Sequence, residues 1–356
     1  MALKIPMLAL FLCGAFQTSP AAFGQVLDGA EEGPSALQTP CPDPQYIYPC
    51  TCSITAPWKP DLDCSQVQSE EELRGVFNRS FEDPHFHFFT VQNTGGLRHL
   101  EGGTFGEATF KSFFFANGDL EVVEPNVFLD SRGFLQYLTL MQQNLTTFPY
   151  EEISQYGILR TLRLTGNRIS AFPTLKSSSL EGLDLSFNPI SDIPADGLTG
   201  LPYLFDFTCE SCGLTEIHPG TFAGRKRLSG LILRSNNLTY LPENMVQSDY
   251  YSVGILVENN QISNVSAGAF KLGQGQIMHV DLTNNRLEQL EERVWRPYFE
   301  GGLTYLYAEG NPFLCGCDIA WLVTKSEFMA KLGGKETCRD GRLVQTLDPL
   351  YYEEMC

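Results

Sequence analysis

Histidine and cysteine are the side chains here with the widest chemical reach, so their spacing is the first test of whether this chain does chemistry. The five histidines are His85, His87, His99, His218 and His279. His85 and His87 share one face of an extended segment beside Asp83, a spacing that could seat a surface metal ion; the competing reading is two solvated or packed rings. Cys209 and Cys212 form a CxxC, but nothing around them resembles a thioredoxin-like unit, so they read as two buried structural thiols with a local disulfide as the alternative. There is no HExxH, no GxSxG and no glycine loop that would cradle a phosphate. The expectation is a protein that is not an enzyme, with no catalytic residue, no metal and no cofactor.

The elements that would position any site follow from composition and periodicity. The 356 residues carry 24 Lys and Arg against 42 Asp and Glu, a formal net charge of -18, and 43% are hydrophobic. Cations so few and scattered exclude nucleic acid, whose phosphates are bound by clustered Lys and Arg. The hydrophobic fraction excludes wholesale disorder. Lys4, the apolar run from Ile5 to Phe16 and the small residues Ala21, Ala22 and Gly24 read as a secretory signal over residues 1–24, cut after Gly24 or, as second choice, after Ala21. The run is shorter than the ~20 residues of a membrane span, and no later run reaches that length, so neither span nor lipid anchor is expected. Cleavage removes Cys13 and leaves ten cysteines. The expected address is extracellular, and the sequons at Asn78, Asn144, Asn237 and Asn264 fit it as glycosylation sites. Residues 25–40 read as an acidic flexible leader.

Internal periodicity is the strongest signal. LRTLRLTGNRI, LEGLDLSFNPI, LSGLILRSNNL, IMHVDLTNNRL and LTYLYAEGNPF repeat the pattern LxxLxLxxNxL. Its Asn falls at Asn167, Asn188, Asn236, Asn260, Asn285 and Asn311, with Gly118, Gln143 and Cys212 in weaker copies. From Gly118 to Asn311 there are 193 residues in eight intervals, about 24 each, inside the leucine-rich range. A second column, eight residues past the motif, holds Phe105, Phe128, Ile153, Leu198, Phe222, Val246, Phe270 and Trp295; only the copy around Asn167 is too short to contribute. These columns predict an α/β-type solenoid: a leucine-rich repeat horseshoe of about ten repeats over 86–311, with a parallel sheet on its concave face. The Asn column would satisfy backbone groups where the chain leaves each strand.

Both open ends of such a solenoid need covering. Cys41, Cys50, Cys52 and Cys64 lie in a cysteine-rich cap over 41–85, and Cys315, Cys317, Cys338 and Cys356 in another over 312–356. Secretion and the lack of a histidine at ligand spacing favour disulfides over zinc, and each cluster permits three connectivities. The outward strand positions then form a candidate partner-binding face. Phe88, Phe114, Tyr137 and Met141 lie towards its start and Ile232, Leu256, Tyr305 and Tyr307 towards its end, with Asp184, Asp206, Glu210, Glu258 and Asp281 beside them. Exposed aromatics among acids suit a complementary, somewhat basic protein. Asp184 and Asp206 could pair for acid–base work, but an open sheet offers no pocket to shift their pKa values.

The repeats and caps resemble secreted arthropod leucine-rich repeat proteins. Within these, CTCSITAPWKPDLDCSQVQSEEELRGVF and NPFLCGCDIAWLV are similar to crustacean proteins grouped with the non-catalytic subunit of Oplophorus luciferase. The cap resemblance implies pairing of first with third and second with fourth cysteine: Cys41 to Cys52, Cys50 to Cys64, Cys315 to Cys338 and Cys317 to Cys356. The family resemblance implies a stabilising or carrier role beside an extracellular protein partner, a small secreted luciferase that oxidises coelenterazine. A matrix, signalling or immune protein that captures a ligand is the alternative, and an enzyme using the His85 and His87 pair or the CxxC is the remote one.

Overall fold

A computed structural model describes residues 40–56, 59–272 and 277–356; the signal and all of the leader but Pro40 lie outside them. Twelve strands form one sheet. It opens with an antiparallel hairpin of β1 (Thr51–Ala56) and β2 (Lys59–Asp63). The other ten strands are parallel and follow in chain order: β3 (His85–Gln92), β4 (Thr109–Ala116), β5 (Tyr137–Met141), β6 (Thr161–Arg163), β7 (Gly182–Asp184), β8 (Asp206–Thr208), β9 (Gly230–Ile232), β10 (Ser252–Leu256), β11 (Ile277–Asp281) and β12 (Leu303–Tyr307). Register puts Phe89, Phe113, Leu138, Leu162, Leu183, Phe207, Leu231, Ile255, Val280 and Leu306 in one inward column, and all ten are buried. Alternation of side chains along a strand turns one set of leucines inward in every repeat, and each repeat buries its set only against its neighbours.

The return wall is mostly turns, 3-10 segments and short two-stranded ladders; Glu292–Glu300 is its one full helix among the described residues of the repeats. The residues of the Phe column, from Phe105 to Trp295, are buried along that wall. Only 21 residues separate Asn167 from Asn188, and the wall narrows there.

Where the chain leaves each strand it makes a turn that exposes backbone to the core. The residue before each ladder position takes positive φ, as at Gln142 (51°), Phe187 (57°), Ser235 (54°), Asn259 (57°) and Asn284 (55°). The buried amide that follows then links two repeats. Asn285 accepts from the Ile262 N–H at 2.9 Å and donates to the carbonyls of Val257 (3.1 Å) and Leu282 (3.0 Å). Asn167, Asn188, Asn236, Asn260 and Asn311 repeat this pattern of one acceptor and two carbonyl contacts. At the weaker copies, Gln143 reaches the Leu120 N–H (3.1 Å) across Gly118, where a Cβ would stand 2.7 Å from Gln143 Oε1. The longer amide and the missing side chain compensate each other.

The ends are closed by packing and covalent links. At the start, Phe77 is edge-on to Phe105 and Phe110, beside disulfides Cys41–Cys52 and Cys50–Cys64. At the other end stand Cys315–Cys338 and Cys317–Cys356, with Trp321 donating to the Leu290 carbonyl (3.0 Å) and the Tyr352 hydroxyl to that of Cys315 (2.7 Å). Glu336, almost wholly buried, accepts from the N–H groups of Ala308, Gly333 and Gly334 and from the Gln345 amide.

Replacing Asn285 with Ala strands an N–H and two carbonyls and should cost about 3 kcal/mol in urea unfolding. Arg286→Ala, one exposed residue further on, should stay within about 0.5 kcal/mol of the unchanged protein. Equal effects of the two would show that the ladder bonds contribute nothing.

Candidate protein interface

Outward positions of the strands fall into columns fixed by register. One runs Phe88, Ser112, Tyr137, Thr161, Gly182, Asp206, Gly230, Gly254, His279, Tyr305. The next runs Thr90, Phe114, Thr139, Arg163, Asp184, Thr208, Ile232, Leu256, Asp281, Tyr307. Met141 lies two residues beyond the second, at the β5 exit, with Glu210 and Glu258 just past β8 and β10.

Relief along this face is uneven. Phe88, Tyr137 and Tyr305 are exposed, while Phe114, Met141, Ile232 and Tyr307 are half-buried. The Tyr305 ring lies 5.6 Å from His279 and 6.2 Å from Tyr307, an aromatic step at one end. Gly182, Gly230 and Gly254 make a low saddle between the aromatic ends. At Gly230 an added Cβ would stand 2.3 Å from Asp206 Oδ1, so the Asp206 carboxylate occupies the space a side chain would take. Leu256, expected to be open for contact, is only 8% exposed, because Ile232 and Asp281 flank it in register and close over it.

The charge on this face is mixed, a second departure from the expectation of an acidic one. Arg234 pairs with Glu258, and Arg163 stands close enough to Asp206 to act on its carboxyl. Both arginines belong to the outward set that the period of two picks out; attention to acids and aromatics passed over them. Asp184 and Asp206 are not side by side, since Asp206 pairs with Gly182 and Asp184 with Thr208.

The expectation of unperturbed carboxyls also fails. Loss of water contact pushes the Asp206 carboxyl from 3.8 up to about 6, with Arg163 opposing. The same cause moves Glu258 from 4.5 to about 7, Asp281 and Glu210 adding to it and Arg234 and its own backbone opposing. Crowding by outward neighbours replaces the missing pocket walls. Burial lowers the His279 pKa. Glu258 Oε2 and His279 Nδ1 are shielded from water and have no hydrogen-bond partner among the described residues.

The residues weighed for chemistry lie apart from one another. His85 Nδ1 sits 2.7 Å from the Thr109 hydroxyl with its ring stacked on Phe134, while His87 turns to Asp61 (3.4 Å) and Phe88. Burial lowers the His87 pKa, against the opposing Asp61 charge. No group of three or more His, Cys, Asp or Glu suited to a metal occurs among the described residues. Cys209 and Cys212 form a disulfide, and both are buried, out of reach of a thiol substrate. A concavity of about 720 Å³ on the return wall at the short repeat, lined by Phe172, Pro173, Leu175, Pro194 and Pro202, has Lys176 and Asp196 as its only titratable walls. Of the sequons, Asn78, Asn237 and Asn264 are exposed and Asn144 is half-buried, donating to Asp119 at 3.2 Å.

This register, ladder and pair of caps define a leucine-rich repeat protein, and the leucine-rich repeat family model matches residues 179–201. The chain belongs to the family of leucine-rich repeat proteins that includes the Oplophorus-luciferin 2-monooxygenase non-catalytic subunit of Oplophorus gracilirostris, with which it is 35% identical over 320 residues, 89% of this chain and 88% of that one. It is also similar to Tsukushi of Gallus gallus, 29% identical over 46% of this chain and 47% of the relative. Among solved structures, a chain of the octameric complex of Latrophilin 3, Unc5D and FLRT2 (LRR) superposes with a TM-score of 0.66 at 19% identity, over 80% of this chain and 88% of that one. That likeness speaks for the fold.

Both raised carboxyls hold a proton more tightly in the folded state than in the unfolded one. The fold therefore gains stability as pH falls through about 7 towards the ordinary carboxylate range, and loses it as pH rises again. Glu258, with 13% of its side chain exposed, should dominate over the more open Asp206, whose effect solvent screens. Glu258→Gln should flatten the rise of the melting temperature between about pH 8 and pH 5 relative to the unchanged protein. Parallel profiles for the two would rule out this assignment.

Proposed function

We propose that the chain is a secreted, N-glycosylated and non-catalytic protein-binding subunit, which holds its partner on the concave face of the sheet. The observation that carries this reading is the build of that face: exposed aromatics at both ends of a low glycine saddle, with Glu258 Oε2 and His279 Nδ1 shielded yet unpaired between them. Aromatic anchors dominate interface energies, and buried polar atoms without partners are costly until a partner satisfies them. Among the described residues no helix is long and apolar enough to cross a membrane, and four disulfides brace the two ends.

The name of the 35% identical relative supports the non-catalytic role and suggests the partner: the catalytic chain of a luciferin monooxygenase, to which this chain would act as stabiliser or carrier. Oxidation of the luciferin would then belong wholly to the other chain.

Purification of the native secreted protein at physiological salt, with mass spectrometry of what elutes with it, tests the assignment. A stoichiometric second chain whose luciferin oxidation lasts longer in the complex is the expected result. Recovery of this chain alone, or with a growth factor or microbial ligand, would reject the luciferase reading. In the complex, Tyr137→Ser and Tyr305→Ser should each weaken binding by about tenfold or more with the melting temperature unchanged. Full affinity in both variants would take the concave face out of consideration.

A further inference from the structure

The rim where the chain enters the strands differs in chemistry from the concave face. Phe134, Ile158, Tyr203 and Tyr251, each three residues ahead of an outward strand position, are 45%, 40%, 46% and 67% exposed. They form an apolar stripe across successive repeats. Between Ile158 and Tyr203, where the repeat is short, lies a cleft of about 320 Å³ lined also by Arg160, Ser178, Glu181 and Arg227. Arg160 and Arg227 are exposed and enter no ion pair among the described residues. Arginines elsewhere do pair, as Arg74 does with Glu101, Arg234 with Glu258, Arg296 with Glu292 and Glu300, and Arg339 with Glu288. In a chain with a net charge of -18, two unpaired guanidinium groups in one cleft are a departure from the pattern of the surface.

Spacing defines what fits. Arg160 precedes β6 and Arg227 precedes β9, three strands on, or about 14 Å at the usual strand separation. Four residues of extended peptide span about the same distance. An extended peptide presents its first, third and fifth side chains on one face. Glu181 stands between the two cations in the chain order of the rim and would repel a third acid, while Ile158 and Tyr203 offer apolar surface there. We propose that this cleft docks an extended acidic segment of a partner protein, with carboxylates at its first and fifth positions on Arg160 and Arg227 and an apolar side chain at its third against Ile158 and Tyr203. Arginine forks match carboxylates in this geometry. A sulfated polysaccharide, charged along its length, would set a sulfate against Glu181 and leave the apolar walls uncovered.

The sequons within the repeats lie elsewhere. Asn144, Asn237 and Asn264 follow the buried ladder by one to four residues, on the side where strands end. Glycans carried there leave the entry rim bare. The site is distinct from the concave face and stands whichever protein occupies that face.

The test uses the purified full-length secreted protein and a fluorescein-labelled peptide, GEAFAEG, followed by fluorescence anisotropy. GEAFAEG should bind, and GQAFAQG and GEASAEG should bind at least about tenfold more weakly. The variant Arg160→Gln with Arg227→Gln should lose at least tenfold in affinity at an unchanged melting temperature, and Tyr305→Ser should bind as the unchanged protein does. No binding of GEAFAEG, equal binding of GQAFAQG, or full affinity in the double variant would overturn the proposal. So would a heparin-derived hexasaccharide that displaces the peptide and binds more tightly through the same two arginines.

Discussion

A chain that leaves a buried strand must hide several backbone N–H and carbonyl groups at once, and every repeat of this protein meets that demand in the same way. A residue at positive φ turns the chain, and the amide after it reaches back to the preceding repeat. The amide is the shortest side chain that offers an acceptor and two donors from one planar group. A carboxylate there would lack donors and an aliphatic residue would lack both. The inward leucines make burial favourable, but the amides set the register in which it occurs. One repeat's backbone is incomplete without the next.

With the exits fixed, the two accessible surfaces acquire different characters. On the concave face, side chains stand shoulder to shoulder at strand spacing, and crowding excludes water without any pocket. Glu258 and Asp206 titrate as partly buried groups for that reason. On the rims, neighbouring repeats diverge and the surface is shaped by repeat length. The short copy around Asn167 draws the return wall in and opens clefts beside it, so a local loss of residues creates relief on an otherwise periodic surface.

These two surfaces were unequally legible in the sequence. The period of two identifies which side chains leave the sheet, and the 24-residue period stacks them; Tyr137 and Tyr305 could be placed in outward columns from pattern alone. What pattern does not carry is how neighbours modify each other across strands. Leu256 is outward and yet covered, since its exposure depends on Ile232 and Asp281, each about one repeat away in sequence. Glu258 reads as an acid until Arg234 is found against it. The cleft between Arg160 and Arg227 draws its walls from four repeats, none of which shows a motif there. The positive-φ column escaped notice because Gln, Gly, Phe, Ser and Asn all occupy it, and no single residue type marks it.

Glu336 stands 25 residues past Asn311, where another ladder amide would fall, and its oxygens take backbone N–H groups only. Every earlier rung offers donors as well as an acceptor to the turn behind it; this one offers acceptors alone. In polymer terms it is a chain stopper. A further repeat, whether from an internal duplication or from the end of another molecule, would dock on a rung that has no hydrogen to give. The number of repeats is therefore written into the valence of one side chain, and the cysteine-braced cap protects an end that the chemistry has already closed.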